Sequence, residues 1–155
     1  MLVGRSKGVE RPPLAPLIPT TKGVSLLIDC GANVDARPSH LVQFAKMGSI
    51  YMENVVGIKN PRVAIVNNGA EEEKGNALVK ETFPLLKECK SINFIGSIEA
   101  RDIPAGYADV IRIQANRVRH TVKHWKDRLY RQKKNAVQEK PLFDVRSNVC
   151  IKYKS

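Results

Sequence analysis

Cysteine is scarce in this 155-residue sequence, and the three present, Cys30, Cys89 and Cys150, are odd in number and far apart. That argues against a disulfide framework or a zinc ribbon and predicts reduced thiols in a cytoplasmic setting. No apolar run of about 18 residues exists, so no transmembrane helix is expected. The first residues carry Arg5, Lys7 and early prolines but no apolar segment, so no secretory signal is expected. Missing too are the G-x-G-x-x-G fingerprint, the P-loop pattern and a serine nucleophile elbow. There is no internal repeat. What is present is a hydrophobic fraction of 43%, enough for a packed core, in a length that sets one domain as the default.

The net charge of +11 and a pI near 9.8 suggest an anionic partner at first sight. The distribution corrects that impression. Residues 1–110 hold 13 Lys and Arg against 12 Asp and Glu, a net of +1. Residues 111–155 hold 13 against 3, a net of +10. Basic character belongs to the tail alone, and the first part must be read on its own.

Residues 1–24, with their prolines and glycines, read as an irregular opening. Ser25–Asp29 is a short apolar run of the kind found in buried parallel strands. Pro38 suits a first helical turn, and Leu41, Phe44, Ala45, Gly48, Tyr51, Met52 and Val55 come after it at three- and four-residue steps, predicting a helix over about 38–55. Arg62–Asn67 reads as a second strand. A second helix is expected over 75–89, with Pro84 predicting a kink or an early break. Ile92–Gly96 reads as a third strand and Ala108–Ile111 as a fourth. Alternating strands and helices predict a layered α/β/α fold with a mostly parallel sheet over 25–111, followed by a basic tail at 112–155.

Each strand ends in a distinctive turn: Asp29–Asn33, Asn67–Asn76, and Gly96–Asp102. In an open parallel sheet such turns gather at the carboxyl edge, where ligands bind. A helix starting near Gly75 would aim free N–H groups at an anion, with Lys74 beside them. Taken singly, each turn also suits plain turn geometry, and Glu71–Glu73 suits a solvated loop. Elsewhere the residues offer less. His40 fits a helix cap or surface position, and Cys30 fits a small core residue. His120 and His124 have a metal-compatible spacing but sit in a Lys/Arg-rich stretch, so no metal site is expected.

Taken together, in order and spacing, these segments resemble the bacterial phosphate acyltransferase family. The resemblance rests on Arg11-Pro12 and Pro19-Thr20, on Leu27–Asn33, and on His40–Gly48. It rests further on Asn60–Val63, on Asn67-x-Gly69-x-Glu71-Glu72-x-Lys74-Gly75-Asn76, on Asn93–Gly96, on Glu99–Asp102 and on Ala108–Val110. It implies transfer of a fatty acyl group from acyl carrier protein to inorganic phosphate, giving acyl phosphate for phospholipid synthesis, without a cofactor. By the same resemblance, Lys74 stabilises phosphate or the oxyanion, and Asn33 and Asn76 donate amide hydrogen bonds. The N–H groups of Gly31, Gly75 and Gly96 line the anion pocket, and Glu72 and Glu99 orient Lys74 or accept a proton. The family forms homodimers and associates peripherally with membranes.

There are departures from the family pattern. Ser97 stands where the family usually has Asn. A leading strand with its Gly-Gly-Asp turn is absent. After Ile111 the sequence Arg112-Ile113-Gln114-Ala115-Asn116 replaces the family's Asp-Gly-Phe-x-Gly-Asn turn. The abrupt change predicts that 112–155 is out of frame, and that the chain makes little or no acyl phosphate. The alternatives are a catalytically inactive, truncated or frameshifted member, and anion or nucleic-acid binding through the tail. The few aromatics of residues 112–140, Trp125 and Tyr130, and the lack of any recognition motif there give no reason to expect a specific nucleic acid.

Overall fold

The computed structural model describes residues 8–30, 33, 35–67 and 75–113. The basic tail beyond residue 113, and with it the out-of-frame expectation, lies outside the described residues, as do His120 and His124.

The opening segment is more ordered than its composition suggests. Leu17–Thr20 forms strand β1, which turns at Thr21-Lys22 and pairs antiparallel with β2, Gly23–Ile28. The expected irregular stretch over 1–24 is therefore corrected at its end. Leu17 packs against one core cluster and Ile18 against the other, an alternation that the prolines obscure. Pro19 is tolerated because β1 pairs on one side only.

Helix α1 spans Pro38–Tyr51 and continues as a single π turn, Met52–Val56, before the helix stops at Gly57. Leu41, Phe44, Ala45 and Met52 are buried, as their spacing requires. Strand β3 is Arg62–Asn67. Helix α2, Ala77–Glu88, runs through Pro84 without the early break expected. Pro84 sits on the exposed face, where the carbonyl it leaves unpaired can be hydrated. Strand β4, Asn93–Glu99, is longer than the expected 92–96. Its pairing with β3 jumps from Val63↔Phe94 to Ala64↔Gly96, so Ile95 is the extra residue of a bulge. Gly96 takes φ +99° there, which a side chain would resist. After a 3-10 turn at Ala100–Ala105, strand β5 covers Val110–Arg112.

The five strands lie in the order β1-β2-β5-β3-β4. Only β1 is antiparallel; β2, β5, β3 and β4 are parallel. Strand β5 is central, with Val110 opposite both Leu26 and Val63. Alternation along the strands divides the core. Leu26, Ile28, Val63, Ile65 and Val110 pack with Leu41, Phe44 and Leu86 beneath the helices. Leu27, Ala64, Val66 and Ile111 face the other way with Ile98, Ile103 and Ile113. Helix α1 crosses close to β5 at Gly48, where a Cβ would lie 2.6 Å from a methyl of Val110.

Candidate functional site

The carboxyl edge carries the ends of β2, β5, β3 and β4. In register, Ile28 stands beside Arg112, Arg112 beside Ile65, and Asn67 beside Glu99. This is the edge at which open parallel sheets bind ligands.

The turn after β2 is built around Asp29. Its carboxylate is 1% exposed and accepts the Leu14 N–H at 3.1 Å on one oxygen. The other oxygen accepts the Asn33 N–H at 3.1 Å and its side-chain amide at 2.8 Å. That amide also donates to the Pro12 carbonyl at 3.3 Å. Asn33 is buried, and its amide is committed to shaping the turn. The opening segment thus ties directly onto this edge, and it does so again at α1. Gly8 and Glu10 hydrogen-bond the Gln43 amide, and Glu10 reaches His40. His40 also accepts the Arg37 N–H through Nδ1, so it caps α1 from a buried position rather than an exposed one.

At the start of α2, Asn76 is the N-cap and accepts the Val79 N–H at 3.0 Å through its side-chain oxygen. Gly75 takes φ +144°, and a Cβ there would meet the Asn67 amide oxygen at 2.8 Å. Glycine lets the helix start close against the end of β3. The segment carrying Glu72 and Lys74 begins and ends at this edge, but those two residues, like Gly31, lie outside the described ones. Glu99 closes β4 at the same edge and holds Arg101, with Nε to carboxylate at 2.9 Å. Gly96 does not join the group. It lies inside β4, level with Ala64, because the strand runs three residues past it. Its assignment to a carboxyl-edge turn is corrected by the bulge. Asn33, Gly75, Asn76 and Glu99 therefore share one edge.

Arg112 escaped the sequence reading. It is 1% exposed, in the central strand, and points to the α1 face with its guanidinium carbon 5.4 Å from the Phe44 ring centre. Nη1 reaches the Ile28 carbonyl at 3.4 Å, while Nε is buried with no hydrogen-bond partner. Burial draws its pKa down to about 10, against the opposing pull of Asp29 and Cys30, so it stays charged at neutral pH. The only sequence signal was a charge set between Ile111 and Ile113 in an apolar strand. Cys30 is pushed up to about 12 by burial and by Asp29, against Arg112, and remains a thiol. Among the described residues no cluster of His, Cys, Asp and Glu could hold a metal ion, and no helix is long and apolar enough to cross a membrane.

The family motifs at Arg62 and Asp109 are not at this edge. They meet at the opposite one, where Arg62 leads β3 and Asp109 precedes β5, in a bidentate pair.

Comparison with known proteins agrees with this fold. A phosphate acyltransferase of Clostridium perfringens is 57% identical over 111 residues, covering 72% of this chain and 33% of the relative. One of Bacillus subtilis is 56% identical over 111 residues, covering 71% of this chain and 33% of the relative. The chain spans about a third of the length of these relatives. In fold it is similar to a phosphotransacetylase of Streptococcus pyogenes, with a TM-score of 0.62, 15% identity, and coverage of 83% of this chain and 45% of that one. A phosphotransacetylase of Staphylococcus aureus gives 0.60 and 17%, over 81% and 44%. The model of the fatty acid synthesis protein family matches residues 1–138, past the point where the motif resemblance stops. The chain belongs to the fatty acid synthesis protein family, among relatives named phosphate acyltransferases.

Proposed function

We propose that this chain is the phosphate-handling part of an acyltransferase that moves a fatty acyl group from acyl carrier protein to inorganic phosphate, releasing acyl phosphate. The observation that carries this reading is the convergence of Asn33, Gly75, Asn76 and Glu99 at one sheet edge, in a chain 57% identical to a phosphate acyltransferase over 111 residues.

The reaction needs no protein nucleophile. Phosphate attacks the thioester carbonyl, and the thiol departs with a pKa of roughly 8.5, so it needs no strong acid. The protein's task is to hold phosphate about 3–3.5 Å from the carbonyl and to stabilise the oxyanion. In this reading the N–H groups at the start of α2, with Lys74 and the Gly31 and Gly75 backbone, supply positive potential. Asn76 caps α2 through its side-chain oxygen, and its amide nitrogen is the donor toward substrate. Asn33 acts through the turn it shapes with Asp29. Glu72 orients Lys74; Glu99 is turned toward Arg101 and serves the edge's geometry. Homodimerisation and a peripheral membrane position belong to the same proposal.

Turnover by this chain alone is expected to be little or none, because it spans a third of its relatives. The second reading, an impaired member whose sequence from 112 onward is out of frame, rests on the change of sequence pattern after Ile111. Thiol release from acyl–acyl carrier protein, with and without phosphate, tests the activity. Phosphate-independent release, or no release even when the chain is extended to the length of its relatives, would sink it. The coding DNA tests the frame: another frame must restore Gly-Phe-x-Gly-Asn downstream of Val110.

A further inference from the structure

No role in acyl transfer has fallen to Arg112, yet it is the buried cation of the carboxyl edge. We propose that Arg112 is a ligand for a phosphoryl oxyanion held at the carboxyl ends of β2 and β5. The identity of the anion, inorganic phosphate or the phosphoryl end of an acyl phosphate, rests on the function proposed above; the site itself rests on the geometry.

Strand β5 places Arg112 opposite both Ile28 and Ile65, at the last paired position of the central strand. Alternation sends its side chain to the same face as Val110, under α1. Phe44 holds the guanidinium, which is a favourable cation–aromatic contact but supplies no acceptor. The only described acceptor is the Ile28 carbonyl, at the long distance of 3.4 Å, and Nε has none. A buried donor left unmade carries its full desolvation cost, and more when it is charged.

Asp29 does not answer that need. Its charge acts on Arg112, but its oxygens already accept three N–H groups from Leu14 and Asn33. An oxyanion supplies what is missing, since the guanidinium fork matches two phosphate oxygens at once. Asp29 then sets the strength: one negative charge beside the site weakens a dianion, so binding is modest and sensitive to ionic strength. The device has a cost in the empty protein, where a charged group sits in a core without its partner.

The test uses the whole chain and inorganic phosphate at constant ionic strength, with chloride as the control anion. The 1H–15N resonance of the Arg112 Nε–H and the thermal midpoint are tracked together. Saturable movement of that resonance and a rising midpoint are expected, with acetyl phosphate as a second probe. Saturation by both assigns the site to the shared phosphoryl group, and saturation by acetyl phosphate alone assigns it to the product. Arg112→Met is expected to raise the midpoint without phosphate and to lose at least about tenfold in phosphate affinity, with Arg112→Lys between the two. The proposal fails if the resonance ignores both probes, or if Arg112→Met binds phosphate as the unmodified chain does. Should Arg112→Met not fold, the resonance and Arg112→Lys decide. Absence of acyl transfer in a chain extended to the length of its relatives, with the phosphate effect intact, would remove the function and leave this site. Acyl transfer by that extended chain with an unchanged phosphate KM in its Arg112→Met variant would do the reverse.

Discussion

Arg62 grips Asp109 across the amino ends of β3 and β5, with Nε and Nη2 each 2.9 Å from a carboxylate oxygen. The backbones join in as well. The Arg62 N–H donates to the carboxylate at 2.8 Å, and the Asp109 N–H donates to the Arg62 carbonyl at 2.8 Å. These two motif residues fix where the central strand enters the sheet.

Replacing Asp109 with Asn removes the charge and one arm of the fork. Because the Arg62 side chain is more than a third exposed, the cost is discounted to about 2 kcal/mol. Urea unfolding at pH 7 should show the midpoint falling without a change in slope.

The same pair sets a pH dependence. Burial pushes the Asp109 carboxyl up, but the hydrogen bonds and charge of Arg62, with Lys22 further off, outweigh it and hold the group below its ordinary value. A depressed folded-state pKa gives stability that is complete above about pH 4 and is lost as pH falls through the folded value. Unfolding curves between pH 6 and 3 should decline less steeply for Asp109→Asn than for the unmodified protein. Equal declines would show that other carboxylates govern acid unfolding.

Gly48→Ala should loosen the helix layer. The new methyl would sit 2.6 Å from Val110, in the buried centre of the sheet. Overpacking of this kind costs about 1–3 kcal/mol, and Val110→Ala in the same chain should recover part of it. Thermal unfolding of the two single variants and the double variant measures the coupling.

Asn76 separates capping from chemistry. Asn76→Ala should lose about 1 kcal/mol of stability, whereas Asn76→Ser keeps an oxygen for the Val79 N–H and should stay within a few tenths. In a chain extended to the length of its relatives, Asn76→Ser should still lower kcat if the amide meets substrate. Unchanged turnover in that variant would leave Asn76 as a cap only.

Cys30 should react slowly with thiol reagents at pH 8, because burial and Asp29 push it up to about 12. In a chain with Cys89 and Cys150 replaced by serine, labelling should track unfolding. Rapid labelling of the folded protein would contradict the geometry around Asp29.

Much of the sheet was readable because its strands announce themselves in apolar runs such as Val63–Val66, buried on both faces. The hidden features each had a local cause. Pro16 and Pro19 disguised β1, since a proline is harmless only on an edge that sequence does not reveal. Gly96 looked like the end of a strand and is a bulge within it; only the pairing of Ser97, Ile98 and Glu99 with β3 distinguishes the two. The site was partly legible: Asn33, Gly75, Asn76 and Glu99 were placed at one edge by strand order alone. Their hydrogen bonds were not, because Asp29 binds Asn33 through a turn whose shape no spacing dictates. Arg112 was missed because charge in a basic stretch reads as solvated until a central strand is known to pass through it.

Because β5 wedges between β2 and β3, the order of assembly is constrained. Until residue 110 is available, the chain holds two separate paired units, β1 with β2 and β3 with β4, with no strand to bridge them. Closing the sheet pairs Leu26 with Val110, a loop of more than 80 residues whose entropy must be met before either half gains a covered edge. During synthesis both inner edges stay open until the last described strand arrives, and each is an apolar, parallel-pairing edge of the kind that associates with other chains. The centre of the described sheet is thus the last of its strands to be made, and the interval before it arrives is when a nascent chain of this fold most needs protection from its neighbours.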